Sequence, residues 1–339
     1  MCYWRHPSFG ENIHRAIQLP QHIRHPVHHP RPMPMSRTFL ANRSTHLTSR
    51  WALPLLILIA LALQGCQPEE DTHQESSSTT ITMPKPTASD FTPLRQHRIF
   101  FMHQSVGKNL MDGVGLLARD AGIDIPLEQR DASGLVYGYN GNGIIHTYGG
   151  KNRFPETKIR SFAEQLATFP DNGLPDVAVM KFCYIDFDTD SDVDGLFRQY
   201  TAMVDSLEKR YPDITFAHMT VPLMAFPHTL KARVKRLLGM SVWIDVTNAM
   251  REAFSQRIRD RYPANRVFDI ARYESTYPDG MREKRSESGQ TIYGLVPAYT
   301  RDGSHLNANG QRYVARGFLA FLHNLSIPSQ SSEASAQAN

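Results

Sequence analysis

From Arg98 to Leu325 short apolar runs alternate with segments of helical spacing, and this alternation constrains the fold more than any other feature. Arg98 to Met102 is an apolar strand after a polar stretch. His103-Gln104-Ser105-Val106-Gly107 reads as a turn, and Asn109 to Ala121 repeats apolar residues at helical spacing (Leu110, Val114, Leu117, Ala118). Ile123 to Gly150, rich in Gly and Tyr, is expected to be a second strand region followed by a long loop. Lys158 to Phe169 has helical spacing, and Asp176 to Phe182 is a buried-type strand. Asp192 to Tyr211 is an amphipathic helix capped by Asp192, Ile214 to Val221 a strand, Ser241 to Tyr262 a long helix and Arg266 to Ile270 a short strand. Tyr313 to Leu325 closes the series as a helix with Asn307 as its N-cap. Strands that alternate with helices predict one α/β domain: a mostly parallel sheet covered on both faces. The insertion Pro227 to Met240 is basic and is expected to cover the site.

Just ahead of the last helix, Arg301-Asp302-Gly303-Ser304-His305 sets an acid and an imidazole three residues apart in a loop. A histidine that accepts a proton needs a carboxylate to fix its tautomer and stabilise the imidazolium. The pair lacks a nucleophile. In open α/β sheets sites form at the carboxyl ends of strands, which points to Ser105 after the first strand. His305 would activate the Ser105 hydroxyl and Asp302 would orient His305. Backbone N–H groups of Ser105 and of a glycine in the stretch 140–143 are candidate donors to an oxyanion.

Upstream, Trp51 to Leu63 is an apolar run with a basic flank (Arg37, Arg43, Arg50), too short to span a bilayer comfortably. That is the layout of a secretory signal peptide. Leu63-Gln64-Gly65-Cys66 resembles the bacterial lipobox, which implies lipidation of Cys66 and a cell-envelope location. No Asp follows Cys66, which implies the outer membrane in a Gram-negative cell. The His- and Pro-rich stretch before Met35 does not fit a signal peptide, so translation is expected to start at Met33 or Met35. Residues 1–66 are thus an upstream extension and signal peptide, 67–94 a Ser-, Thr- and Pro-rich tether without core, 95–325 the folded domain and 326–339 a low-complexity tail.

The net charge of +4 among 339 residues sits largely in the N-terminal stretch, and the body has no basic stripe interleaved with aromatics. Nucleic acid is therefore not an expected partner. Of the chain's three cysteines only Cys183 falls in the body, so no disulfide framework is expected.

The body, roughly Ile99 to Leu325, resembles the SGNH (GDSL-type) hydrolase superfamily. Its terminal Asp-x-x-His block matches Asp302 and His305, followed by Leu306-Asn307-Ala308-Asn309-Gly310, and His103 to Gly107 stands where the family has Gly-Asp-Ser. The resemblance implies a flavodoxin-like three-layer α/β/α fold and ester hydrolysis through an acyl-serine, without metal or other cofactor. It also implies an oxyanion glycine, Gly141 or, preferably, Gly143. The family's Gly-x-Asn-Asp block is replaced by Lys181-Phe182-Cys183-Tyr184-Ile185-Asp186, which has no asparagine. Asp186 matches the block's aspartate, and Tyr184 is the candidate replacement donor.

Other chemistry-bearing residues have plainer readings. His103, two before Ser105, either touches substrate or packs, and His146 is expected to be a surface histidine. Asp190, Asp192 and Asp194 ahead of Gly195 imitate half a calcium loop, but the twelfth position is Thr201, and acids at a helix N-terminus explain them. Three functions remain in view. One is a serine esterase acting on a small acyl ester or an acylated glycan at the envelope. The second is an O-acyltransferase with the same triad, and the third a binding lipoprotein on a hydrolase fold.

Overall fold

The structure, a computed structural model, describes residues 84–130, 141–287 and 289–327. The signal-peptide and Cys66 expectations, the tether up to residue 83 and the tail from residue 328 lie outside the described residues.

Six strands form one sheet: β1 (Arg98–His103), β2 (Leu127–Arg130), β3 (Gly143–Tyr148), β4 (Val177–Met180), β5 (Thr215–Met219) and β6 (Val267–Phe268). Their order is β2-β3-β1-β4-β5-β6, and every pairing is parallel. The helices are α1 (Thr92–Gln96), α2 (Ser105–Ala121), α3 (Pro155–Leu166), α4 (Val193–Arg210), α5 (Leu230–Leu237), α6 (Trp243–Arg261), α7 (Ile270–Ser275) and α8 (Ala308–Asn324).

Side chains alternate across β1 and divide the core in two. Ile99 and Phe101 pack with Leu110 and Val114 of α2 and with Val314 and Phe318 of α8. Phe100 and Met102 pack with Phe162 of α3, Tyr200 and Val204 of α4 and Phe254 of α6. The result is a three-layer α/β/α sandwich, and burial on both faces explains why the strands read as continuous apolar runs. The flavodoxin-like order, with one extra edge strand, puts β1 between β3 and β4, where the crossovers change direction. Such a switch point opens a crevice at the carboxyl ends of the strands.

Several expectations need correction. The segment assigned to the tether up to residue 94 is helical from Ala88 and buries Phe91 and Leu94 completely. Each such burial contributes about 1.5–3 kcal/mol, so two apolar residues suffice to hold a polar-looking stretch on the body. The glycine-rich region is two strands, β2 and β3, and not one strand with a loop. Helices α5 and α7 and the antiparallel hairpin β7 (Lys284–Glu287) with β8 (Gln290–Tyr293) were not anticipated. Each spans eight residues or fewer, too short a window for periodicity to mark it out.

Helices α2 and α8 lie unusually close. A Cβ on Gly113 would sit 2.2 Å from the Gln311 carbonyl oxygen. The helix that begins with Ser105 is thereby set directly against the helix that follows His305.

Candidate active site

Ser105 is the first residue of α2 and not part of a free turn, because the helix starts four residues earlier than its apolar spacing suggests. Gln104 ahead of it is extended, and its side-chain amide donates to the carbonyls of Gly149 (2.9 Å) and Gly150 (3.1 Å). This ties the carboxyl ends of β1 and β3 together. The first N–H groups of a helix have no partner within it, so Ser105 presents both its hydroxyl and the positive end of α2.

Asp302 and His305 come from the loop before α8. Gly303 takes φ 82°, a conformation that favours glycine, and its N–H bonds to the Thr300 hydroxyl at 3.0 Å. The tight loop lets Asp302 Oδ1 accept the N–H groups of Ser304 (2.9 Å) and His305 (2.8 Å) while Oδ2 meets His305 Nδ1 at 2.6 Å. On the other side of the ring His305 Nε2 lies 2.9 Å from Ser105 Oγ. With Nδ1 donating to the carboxylate, Nε2 is left to accept the serine proton. The serine and the Asp–His pair, some two hundred positions apart in sequence, form one hydrogen-bonded line. Burial alone would raise the Asp302 carboxyl, but hydrogen bonds from the His305 backbone and ring and from Ser304 outweigh it and hold the group well below the usual carboxylate range. His305 and Asp302 both remain open to solvent.

Tyr184 stands beside the imidazole, edge to face, with ring centroids 5.7 Å apart. Burial raises its phenol above the ordinary value, a hydrogen bond with Ser304 opposes the rise, and the group stays protonated. Arg251, fully buried, donates from Nε to the Tyr184 carbonyl at 2.8 Å and so fixes the turn that carries it.

Gly143 does not belong to this site. It opens β3, paired with Arg98 at the amino ends of the strands, and its N–H bonds to the His97 carbonyl at 2.9 Å. Gly141 precedes it and lies at that same wrong edge. The glycines at the carboxyl end of β3 are Gly149 and Gly150. Spacing misled here because the strand begins, and does not end, at the Asn-Gly pair.

His103 is buried beneath the serine, not exposed to substrate. Its Nδ1 donates to the Gln104 carbonyl (2.8 Å) and its Nε2 accepts from His146 Nδ1 (2.9 Å). His146 is buried too, contrary to the surface reading. Burial first, and then the neighbouring positive charges, lowers His103 to about 3 and His146 to about 4, so both rings are neutral at physiological pH.

Asp186 is a structural anchor. Its carboxylate, fully buried, accepts the N–H of Cys183 (2.7 Å) and of Arg153 (3.0 Å) and pairs with the equally buried Lys158 ammonium. Lys158 also donates to Asn152 Oδ1 at 3.0 Å. Asp186 thus fastens the loop after β3 to the loop after β4, and it holds Arg153 at φ 69°, a left-handed conformation for a non-glycine residue. Sequence reasoning missed Asn152 and Lys158, since nothing in their spacing links them to the triad. Asn109 was also missed, although its place one turn after Ser105 was a usable signal.

The acids ahead of Gly195 serve the helix. Asp192 caps α4 by accepting the Gly195 N–H, and Asp194 pairs with Arg257. Among the described residues no group of three or more His, Cys, Asp or Glu is placed to hold a metal ion.

Fold and site together define a doubly wound α/β protein with a Ser–His–Asp constellation at the carboxyl edge of its central strand. No family model matches the sequence, and no curated protein matches it. Solved structures similar to it include an acetyl esterase (12% identity, 68% of this chain and 99% of that one, TM-score 0.37). The lipase/acylhydrolase from Enterococcus faecalis is similar at 13% identity, over 68% of this chain and 97% of that one, with TM-score 0.32. The C-terminal catalytic domain of peptidoglycan O-acetyltransferase A from Streptococcus pneumoniae is similar at 10% identity, over 68% and 95%, with TM-score 0.31.

Proposed function

We propose that the protein is a serine esterase that cleaves an acyl ester through an acyl-serine intermediate. The observation that carries this reading is the continuous line from Ser105 Oγ through His305 to Asp302. His305 Nε2 takes the hydroxyl proton as Ser105 Oγ attacks the acyl carbonyl carbon. The tetrahedral intermediate then collapses. The C–O bond to the alcohol breaks and His305 returns the proton to the leaving oxygen. Water, deprotonated by the same nitrogen, attacks the acyl-serine and releases the carboxylic acid and free Ser105.

The developing oxyanion needs donors that are already in place. The Ser105 N–H at the head of α2 is one, and the Gly150 N–H is the second. The Asn152 amide is the third: Lys158 holds its oxygen and leaves its NH2 group to donate. The carboxamide lacking after β4 is thus supplied from the loop after β3.

The substrate class is an acylated glycan or a comparably polar ester. A cavity of about 540 Å³, which no triad residue lines, adjoins the loops after β3 and β4 and is walled by Arg153, Glu156, Asp188, Ser191 and Gln199 among others. Such a wall suits hydroxyl-rich groups better than a long acyl chain. The solvent-open triad gives water access to the acyl-enzyme and favours hydrolysis. The envelope location and the Cys66 lipid anchor are part of the same proposal and rest on the apolar run and the lipobox-like cysteine.

The test is turnover of an activated acetate ester by the protein beside Ser105→Ala and His305→Ala, with fluorophosphonate labelling. Turnover in the parent, background rates in both variants and a label on Ser105 are expected. Equal rates in all three would overturn the triad. Product formed only when a glycan acceptor is added would replace hydrolysis by transfer. Radiolabelled palmitate incorporation lost in Cys66→Ser tests the anchor.

A further inference from the structure

Helix α5 has its polarity reversed. At about 100° per residue, Leu230, Val234 and Leu237 fall in one stripe, while Ala232 lies roughly opposite. In a helix packed on a globular body the apolar stripe faces inward. Here the buried residue is Ala232, and Leu230 and Leu237 are 74% and 86% exposed. The apolar surface continues past the helix through Leu238, 67% exposed, Met240 and Trp243.

The stripe is flanked by cations. Lys231 and Lys235 lie on one side of it and Arg233 on the other. From Thr229 to Ile244 there is no acidic residue. The helix is also firmly placed. Arg236, on the inward side, forms a two-pronged ion pair with Asp245 at the start of α6 (2.6 and 2.8 Å) and donates to the Pro227 carbonyl (3.0 Å). The Trp243 indole N–H donates to Asp188 at 2.8 Å. The stripe is therefore a fixed outward face.

We propose that α5 and its flanks, residues 229–243, are an interfacial surface that docks on an anionic lipid bilayer. Leucine, valine, methionine and tryptophan enter the headgroup region while lysine and arginine meet lipid phosphates and carboxylates. A second copy of the chain fits the face poorly, because two such faces would oppose like charges across the apolar contact. The segment leaves the carboxyl end of β5, the edge that carries the triad. Ala225, five residues before α5, donates its N–H to the Gly303 carbonyl between Asp302 and His305, at 2.8 Å. Docking would hold the catalytic edge toward the bilayer surface. This goes beyond the esterase reading, and failure of Ser105→Ala to lose activity would leave it untouched.

Amide hydrogen exchange of the full chain, read by mass spectrometry with and without vesicles, tests it locally. Binding through the N-terminal apolar run is then seen separately. Vesicles of phosphatidylcholine with one part in three phosphatidylglycerol are expected to slow exchange in 229–243. Pure phosphatidylcholine at equal lipid should give little effect. Leu230→Ser/Leu237→Ser and Lys231→Glu/Lys235→Glu are each expected to reduce the protection at least about tenfold in lipid requirement, with turnover of a soluble short ester unchanged. Unchanged exchange in 229–243 on vesicle-bound protein would overturn the proposal. So would equal slowing on both lipids, or concentration-dependent slowing without lipid, which would assign the face to a second copy.

Discussion

The Leu306 N–H donates to Asn109 Oδ1 at 3.1 Å, one residue after His305 and one helical turn after Ser105. This bond joins the two halves of the triad through residues that do no chemistry themselves. Leu306 is buried, so its N–H has no ready replacement by water. Asn109→Ala is expected to cost about 1–3 kcal/mol of stability. It should also lower kcat through loss of the Ser105–His305 distance, with Asn109→Asp restoring most of both. Denaturant unfolding and kcat measured on all three proteins check this. An unchanged kcat in Asn109→Ala would show that the helix packing alone sets the distance.

Asp302→Asn keeps the size of the side chain but turns one oxygen into an amide that cannot accept the Nδ1 proton. The imidazole then prefers the wrong tautomer, and a fall of about 10⁴ in kcat is expected. The depressed carboxyl of the parent means that Asp302 stays ionised above the ordinary carboxylate range. Asp302 should therefore still be ionised at pH 5, and a carboxyl found by NMR to titrate at or above the ordinary carboxylate value would contradict that.

The assignment of Asn152 as an oxyanion donor predicts a loss of about 10²–10³ in kcat for Asn152→Ala, with KM little altered. Asn152→Asp keeps the oxygen that Lys158 grips but removes the donor, and should be no better. Steady-state kinetics of the two variants decide it, and a change confined to KM would make Asn152 a substrate contact only.

Gly113→Ala puts a methyl group against the Gln311 carbonyl. Helices α2 and α8 must then separate, and overpacking of this kind costs about 1–3 kcal/mol. A lower denaturation midpoint with an unchanged denaturant slope is the expected result. A midpoint equal to that of the parent would mean the two helices yield without strain.

Three histidines are buried neutral: His103 and His218 with values lowered to about 3, and His146 to about 4. Burial is the main cause in each. An unfolded chain binds these protons near pH 6.5, so between that value and about 4 the unfolded state holds more protons than the native one. Stability must then rise with pH across this window and fall as the solution is acidified, by about 1.4 kcal/mol per unit for each fully titrating group. His218, stacked on Tyr262 and bonded to the Tyr200 hydroxyl, is remote from the triad. His218→Gln should flatten the dependence measured by urea unfolding at successive pH values. A parent whose stability is flat from pH 6.5 to 4 would refute the burial argument.

What could be read in the sequence follows from the periods of the chain. Apolar runs such as Ile99 to Met102 are buried on both faces, and amphipathic stretches such as those of α4 and α8 are buried on one, so their order already implied a doubly wound parallel sheet. Asn307 and Asp192 were legible as caps, because a capping side chain bonds to backbone within three residues of itself. Asp302 and His305 were legible as a pair for the same reason of proximity. Local chemistry writes local signals.

The rest depended on what the sheet brings together. The register of β3 against β1 sends Gly143 to the far edge and puts Gly149 and Gly150 beside Ser105. The Lys158–Asp186 pair joins the first turn of α3 to the turn after β4, 28 positions on, and the same Lys158 ammonium holds Asn152. His103 was ambiguous and His146 was read as a surface residue until two strands put a nitrogen of one ring 2.9 Å from a nitrogen of the other inside the core. The sequence by itself determined the central strands and the long helices, the caps and the Asp–His loop, since each is settled by contacts within a few residues. Only the tertiary structure decided which glycines lie at the serine's edge of the sheet, and that the apolar side of α5 points outward. Those are long-range pairings, chosen by the packing of the whole domain.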